Sequence, residues 1–111
     1  MADFDANLLV EHPASLRIAR DFARRRHPDR DMNRLYVFEP GVTQTGAMAD
    51  HRVPTAAVAV PTALAALAAE VFLGHGVAVP RGAGFRAADL EAWRGRGRRP
   101  EVVAALAEDL V

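Results

Sequence analysis

The long apolar run in residues 55–80, TAAVAVPTALAALAAEVFLGHGVAVP, decides how the fold is interpreted. Glu70 and His75 are its strongly polar interruptions. Because the middle of the run is apolar on almost every side of a helix, the pattern predicts a buried helix rather than a surface helix. We interpret the run as a strand over residues 56–60, a helix over about 62–73 and a second strand over 77–79.

Residues 53–79 are long enough to raise the question of a membrane span. Pro54, Pro61 and Glu70 argue against a single spanning helix. Pro61 suits the first turn of a helix, and Gly74 suits the position just after its end. The run therefore predicts a buried βαβ unit with parallel strands, and we expect no membrane partner.

The remaining elements follow from shorter patterns on either side of this run. Apolar residues recur at helical spacing after Pro13 and after Pro100, and residues 34–39, RLYVFE, have the aromatic and β-branched content of a strand. Residues 42–54 show no sustained period and predict a long loop. The further predicted elements are a strand at 7–11, a helix from 13 to about 26, the strand at 34–39, a short helix at 86–93 and a last helix from 100.

These elements predict an α/β fold for residues 1–111 as a single domain. Its sheet would be small and mostly parallel, with three or four short strands and helices packed on it. Residues 1–6 are predicted to be a flexible N-terminal arm, and residues 94–99, RGRGRR, a basic linker to the last helix. An exposed edge of such a sheet needs to be covered, and a partner subunit is one way to cover it.

The composition excludes several classes of site. Cysteine is absent, so neither a disulfide framework nor a thiolate metal site is available. The four histidines show no metal-ligand spacing, and we predict no metal and no cofactor. The net charge is zero and all 14 basic residues are arginine, a usage that indicates a GC-rich bacterial or phage genome. An acidic N-terminus without a positive region predicts no signal peptide, so we expect a cytoplasmic or virion-associated protein.

Arginines and a glycine turn form the candidate anion- or nucleic-acid-binding residues. The turn PRGAGF, between a predicted strand and a predicted helix, is similar to turns whose backbone amides approach a phosphate, although the full GxGxxG spacing is missing. Arginine clusters that share a face would make nucleic-acid binding credible. The candidates are Arg24, Arg25, Arg26, Arg81, Gly82, Gly84, Arg86, Arg96, Arg98 and Arg99.

No catalytic set is evident from spacing, and we assign no catalytic residue. Glu39, Asp50 and His51 flank the predicted loop and would be an acid–base set only if the fold brought them together. Glu70 is expected to face solvent, to pair with an arginine or to lie at an interface. The predicted interface residues are Phe4, Met48, His51, Leu106 and Leu110.

Residues 12–48, HPASLRIARDFARRRHPDRDMNRLYVFEPGVTQTGAM, resemble the second half of a short-chain dehydrogenase. In that family a YxxSK-type helix leads to a strand that ends in PGxxxT. The tyrosine and lysine that carry catalysis there would fall at His12 and Leu16, and the N-terminal nucleotide-binding half is missing. The resemblance implies a similar βαβ layout in an inactive remnant.

Three hypotheses of function remain open at this point. The first is a non-catalytic interaction or assembly subunit of a bacterial or phage complex that associates with itself or with another protein. The second is a small arginine-based regulator that binds nucleic acid. The third is an inactive remnant similar to a short-chain dehydrogenase, or a small anion-binding enzyme that uses Arg81, the glycine turn and His51.

Overall fold

A computed structural model describes residues 1–30 and 32–111 of the chain. These residues form an α/β fold with a three-stranded parallel sheet and five α-helices, which confirms the predicted fold class. A 3₁₀ turn precedes α3 and a π-helical turn follows it, so that one helix, called the long helix below, runs continuously over Ala57–Gly74. The elements are β1 (Ala2–Phe4), α1 (Ser15–Arg24), β2 (Tyr36–Glu39), α2 (Gln44–Ala47), β3 (His51–Pro54), α3 (Val60–Ala69), α4 (Ala87–Trp93) and α5 (Pro100–Leu110).

The chain divides into two compact units. The first, Met1–Ala57, contains the sheet with α1 and α2 and is called the sheet unit. The second, Val58–Val111, contains α3, α4 and α5 and is called the helical unit.

In the sheet unit the strand order is β1-β2-β3, and both pairings are parallel. All four residues of β2 are buried, as expected for a central parallel strand whose two faces are both covered. On one face Val37 packs with Phe22 of α1 and with Leu35. Side chains of β2 alternate between faces, so Phe38 points to the other face, where it stacks on Phe4 with 4.7 Å between ring centroids.

Parallel neighbours require a crossover connection, and each connection of this sheet contains a helix. The link from β1 to β2 contains α1. The link from β2 to β3, residues 40–50, contains the single-turn helix α2, which begins where the Thr43 hydroxyl accepts a hydrogen bond from the Gly46 amide at 3.0 Å.

The helical unit is built around the side of α3 that carries alanines. Ala63, Ala66 and Ala69 are buried where α3 packs against α4 and α5. In α5 the apolar stripe predicted from the sequence is buried at Val103, Leu106 and Ala107. An aromatic row of Phe72, Phe85 and Trp93 joins the end of the long helix to α4.

The βαβ interpretation of residues 55–80 was wrong. Residues 57–60 belong to the long helix, because its alanines are strong helix formers and strand pairing does not compete with them there. Residues 77–79 are irregular backbone. The long helix is also less buried than predicted, since only 17% of its 18 residues are buried.

The strands missing from that prediction lie in segments interpreted as arm and loop. Residues 1–6 contain β1, which pairs with β2, and the predicted loop at 42–54 contains both α2 and β3. Residues 7–11 form a turn instead of a strand, with the amides of Val10 and Glu11 donating to the Asn7 carbonyl. The predicted strand at 34–39 and the helices predicted at α1, α4 and α5 are confirmed. Their predicted and observed ends differ by two residues at most.

Candidate functional site

A polar network occupies the carboxyl end of the sheet, which is the edge where parallel α/β sheets commonly bind ligands. At its centre is Glu39, the last residue of β2, with 1% of its surface exposed. Arg52 of β3 lies opposite Val37, one diagonal step from Glu39 on the same face, and its Nε atom is 2.6 Å from Oε1 of that carboxylate. The Thr43 hydroxyl donates to Oε2 at 2.7 Å, and the Thr43 amide also faces the carboxylate.

These contacts hold Glu39 as a carboxylate. Burial favours the neutral acid, but the hydrogen bonds from Thr43 and Arg52 outweigh it and lower the pKa of Glu39 below its ordinary value. Gly46 is required beside this carboxylate, because a Cβ atom there would overlap Glu39. The carboxylate therefore fixes the 40–50 loop against β2 and β3 through bonds made within the chain.

The turn after β1 joins the same edge. The carboxylate of Asp3, which is buried, accepts from the Ala6 and Leu8 amides at 2.8 Å each. Thr45 is also buried, donates to Asn7 Oδ1 at 2.9 Å and accepts from the Leu9 amide at 3.0 Å. The buried polar side chains of this edge are hydrogen-bonded within the chain, and we therefore assign them a structural role.

A second charged pair lies where β3 begins. The two terminal nitrogens of Arg26 contact the two Asp50 oxygens at 2.7 and 2.8 Å, and the same carboxylate accepts from the Leu35 amide at 2.7 Å. Burial works against the charge of Asp50, but the bonds from Arg26 and Leu35 prevail and lower its pKa. Glu39 and Asp50 are thus each paired with an arginine, while His51 stacks on Tyr36 with 4.8 Å between ring centroids. This does not favour the acid–base set that these three residues suggested.

The predicted basic residues fall on different parts of the chain. Arg24 and Arg25 lie at the end of α1 and line a groove in the sheet unit, whereas Arg26 is held by Asp50. The remaining candidates lie in the helical unit: Arg81, Gly82, Gly84, Arg86, Arg96, Arg98 and Arg99.

The glycine turn is not the strand–turn–helix motif that its sequence suggested. The backbone before it is irregular, and α4 after it has seven residues. Gly82 and Gly84 have φ values of 81° and 78°, so the backbone itself explains the glycines. The Arg86 amide donates to Asp89 at 2.7 Å and caps α4, and Arg99 pairs with Glu101 at the start of α5.

The predicted interface residues divide by exposure. Leu106 is fully buried in the core, so its assignment as an interface residue was wrong: its helix points it inward. Phe4 is half-buried against Phe38 in the sheet. Met48, His51 and Leu110 are exposed and remain predictions. Glu70 faces Arg94 at 3.8 Å, one of the outcomes expected for it.

The groove on α1 has a volume of about 580 Å³. Ile18 and Phe22 of the helix form part of its floor, and Arg17, Arg24 and Arg25 form its basic rim. The last two arginines were candidates from their run in the sequence, whereas Arg17 was not among the candidates. Leu16 of the same helix is 89% exposed.

The long helix is the largest apolar element without matching burial. Its mean hydropathy is 1.8 over 18 residues, so by length and composition alone it is apolar enough to cross a membrane. Val58 is 88% exposed and Leu64 is 44% exposed, although Ala63, Ala66 and Ala69 of the same helix are buried. The fully buried residues of this helix are thus alanines, and its Val58 and Leu64 are left exposed.

The chain matches no protein-family model, and no curated protein matches it significantly. The layout implied by the resemblance to short-chain dehydrogenases can be compared with the structure directly. A helix joins two parallel strands, and Pro40-Gly41 follows the second. At the positions of the family's tyrosine and lysine, His12 and Leu16 are both exposed.

Proposed function

We propose that this chain is a non-catalytic assembly subunit that associates with a second copy of itself through the exposed side of the long helix. The observation that carries the proposal is the exposure of large apolar side chains on that helix. Alanines at positions 63, 66 and 69 pack inside the helical unit, while Val58 and Leu64 face outward. A helix that served its own core alone would place its larger apolar side chains inward.

A second copy suits the chemistry of this surface. Residues 57–69, AVAVPTALAALAA, contain no charged side chain. In a two-fold dimer the same patch meets itself, and a patch without charge does so without placing like charges opposite each other. Its alanines also allow two helix backbones to approach closely.

The helices packed on α3 make a protein partner a better match than a lipid bilayer. Inserting the long helix would require α4 and α5 to accompany it or to separate from it. Glu91 of α4 and Glu101 and Glu108 of α5 are exposed. Charged groups at the centre of a bilayer cost about 2.5–3.5 kcal/mol each even on insertion scales.

Light scattering after size exclusion, at low and high salt, tests the proposal. We expect a dimer at both salt concentrations, because apolar contacts are not screened by salt. Val58→Glu and Leu64→Glu should give folded monomers, since each places like charges across the two-fold axis. Leu16→Glu, at an exposed leucine of α1, is the matched control and should remain dimeric.

Three results would overturn the proposal. One is a wild-type monomer throughout the concentration range. Another is a protein recovered only with lipid vesicles. The third is material that absorbs at 260 nm at low salt and loses that absorbance at high salt, which would favour the nucleic-acid regulator.

A further inference from the structure

The groove on α1 combines an apolar floor with a basic rim, and it lies within the sheet unit. Its floor includes Met1, Ile18 and Phe22. Arg17 and Arg24 are seven residues apart, two turns of helix, so they flank the floor about 10 Å apart along the axis. A volume of 580 Å³ is within the range of about 300–1,000 Å³ found for small-molecule sites.

The positive charge of the rim arginines is not neutralised by carboxylates of the described residues. Neighbouring arginines are paired, Arg20 with Asp21 at 3.4 Å and Arg26 with Asp50 at 2.7 Å. For Arg17, Arg24 and Arg25 no carboxylate of residues 1–30 and 32–111 lies within ion-pair distance. Asp21 is the one acidic residue among the described residues that line the groove, and its carboxylate faces Arg20.

A third observation concerns Asn33, which also lines the groove. Its side-chain oxygen Oδ1 is buried and has no hydrogen-bond partner among the residues that the structure describes. A buried acceptor without a donor is uncommon and costs free energy. A ligand that carries an N–H group would supply the donor after a small rotation of the amide.

From these three features we propose that the α1 groove binds an organic phosphate with a flat, apolar, N–H-bearing body, which is the chemistry of a purine nucleotide. A guanidinium group can donate two parallel hydrogen bonds to two oxygens of one phosphate, so we assign the phosphate to the rim arginines. The base lies on the floor beside Ile18 and Met1, and its amino group donates to Asn33. Phe22 supports this floor from the core, where the Arg26 guanidinium lies over its ring. This site is independent of the assembly surface on the long helix.

Titration calorimetry with adenosine monophosphate, inorganic phosphate and adenosine tests the site. We expect the nucleotide to bind more tightly than either fragment, because only the nucleotide satisfies rim and floor together. Arg17→Gln and Arg24→Gln should each weaken nucleotide binding at least about tenfold, as expected for loss of a charged hydrogen bond. Arg30→Gln, an exposed arginine that does not line the groove, is the matched control and should bind as the wild type does.

Asn33→Leu tests the contribution of the base to binding separately from that of the phosphate. It should weaken binding of the nucleotide and of adenosine, while the affinity for inorganic phosphate stays unchanged. Circular dichroism confirms that each variant is folded before titration. The proposal is overturned if the folded wild type fails to bind the nucleotide, if phosphate alone binds equally well, or if Arg30→Gln weakens binding as much as the rim variants do.

Discussion

The central strand β2 and the helix α3 are both built from mostly apolar residues, yet they bury their side chains in opposite ways. All four residues of β2 are buried, including Glu39, whose charge is matched by Arg52 and Thr43. In α3 only three of ten residues are buried, and all three are alanine. The strand is completed within its own chain, whereas the helix is left with an apolar surface that a second copy would cover.

The largest effect should come from the charged centre of the sheet unit. Glu39→Ala leaves Arg52 without its carboxylate and removes three contacts from Thr43, so we expect the free energy of unfolding to fall by about 3–5 kcal/mol. Urea unfolding followed by circular dichroism measures the change. The double variant with Arg52→Ala should lose less than the sum of the two single variants, and additive losses would contradict the pairing.

A large effect is also expected in the core of the helical unit, where exposure separates two leucines. Leu106→Ala, at a fully buried site, should lower the free energy of unfolding by about 2–5 kcal/mol at every protein concentration. Leu64→Ala, at a site that is 44% exposed, should matter mainly through dimer stability. Its loss should therefore depend on protein concentration, as mass action requires. Equal, concentration-independent losses at both sites would remove the contrast between inner and outer faces.

Enlarging a buried alanine probes the inner face of α3. Ala66→Leu adds three carbon atoms where α3 packs in the helical unit, and we expect overpacking to cost about 1–3 kcal/mol. Thr62→Leu, at an exposed position of the same helix, should leave the unfolding midpoint of the monomer nearly unchanged. A neutral Ala66→Leu would mean that the helix does not pack through its alanines.

The smallest effect is the response to acid. The pKa values of Glu39 and Asp50 are lowered in the folded chain, so their stabilisation is present above their ordinary values of 4.5 and 3.8 and is lost as the pH falls through the lowered ones. Urea unfolding at neutral pH and at successive acid steps should show this decline. Glu39→Gln should flatten it, and an unchanged slope in that variant would contradict the assignment to Glu39.

The strands of the sheet unit could be predicted from the sequence only where the local residue pattern agrees with the pairing in the sheet. Strand β2 carries the aromatic and β-branched residues of a buried strand, and its position followed from residues 34–39. Strands β1 and β3 have three and four residues, and β3 ends at Pro54 with only Val53 buried. Their conformation depends on pairing with β2, which local composition does not encode.

In the helical unit the sequence predicted more burial than the structure shows. Apolar content on all sides predicted burial of the long helix, because composition does not show which side has a neighbour.

The contacts of the arginines in the sheet unit could not be predicted either. The run Arg24, Arg25, Arg26 divides between a groove and the Asp50 pair. The partner of Arg26 lies 24 residues away, so no local spacing indicated it.

The absence of cysteine allows the most direct test of self-association. A single cysteine in place of Val58 or of Leu16 takes a nitroxide label at one exposed site per chain. Pulsed electron paramagnetic resonance then measures distances between labels on two copies. We predict a short, narrow distance between labels at position 58, and labels at position 16, on α1, show whether such a distance is specific to the long helix. Labels at position 58 without any dipolar coupling, in a folded protein, would contradict association through the long helix.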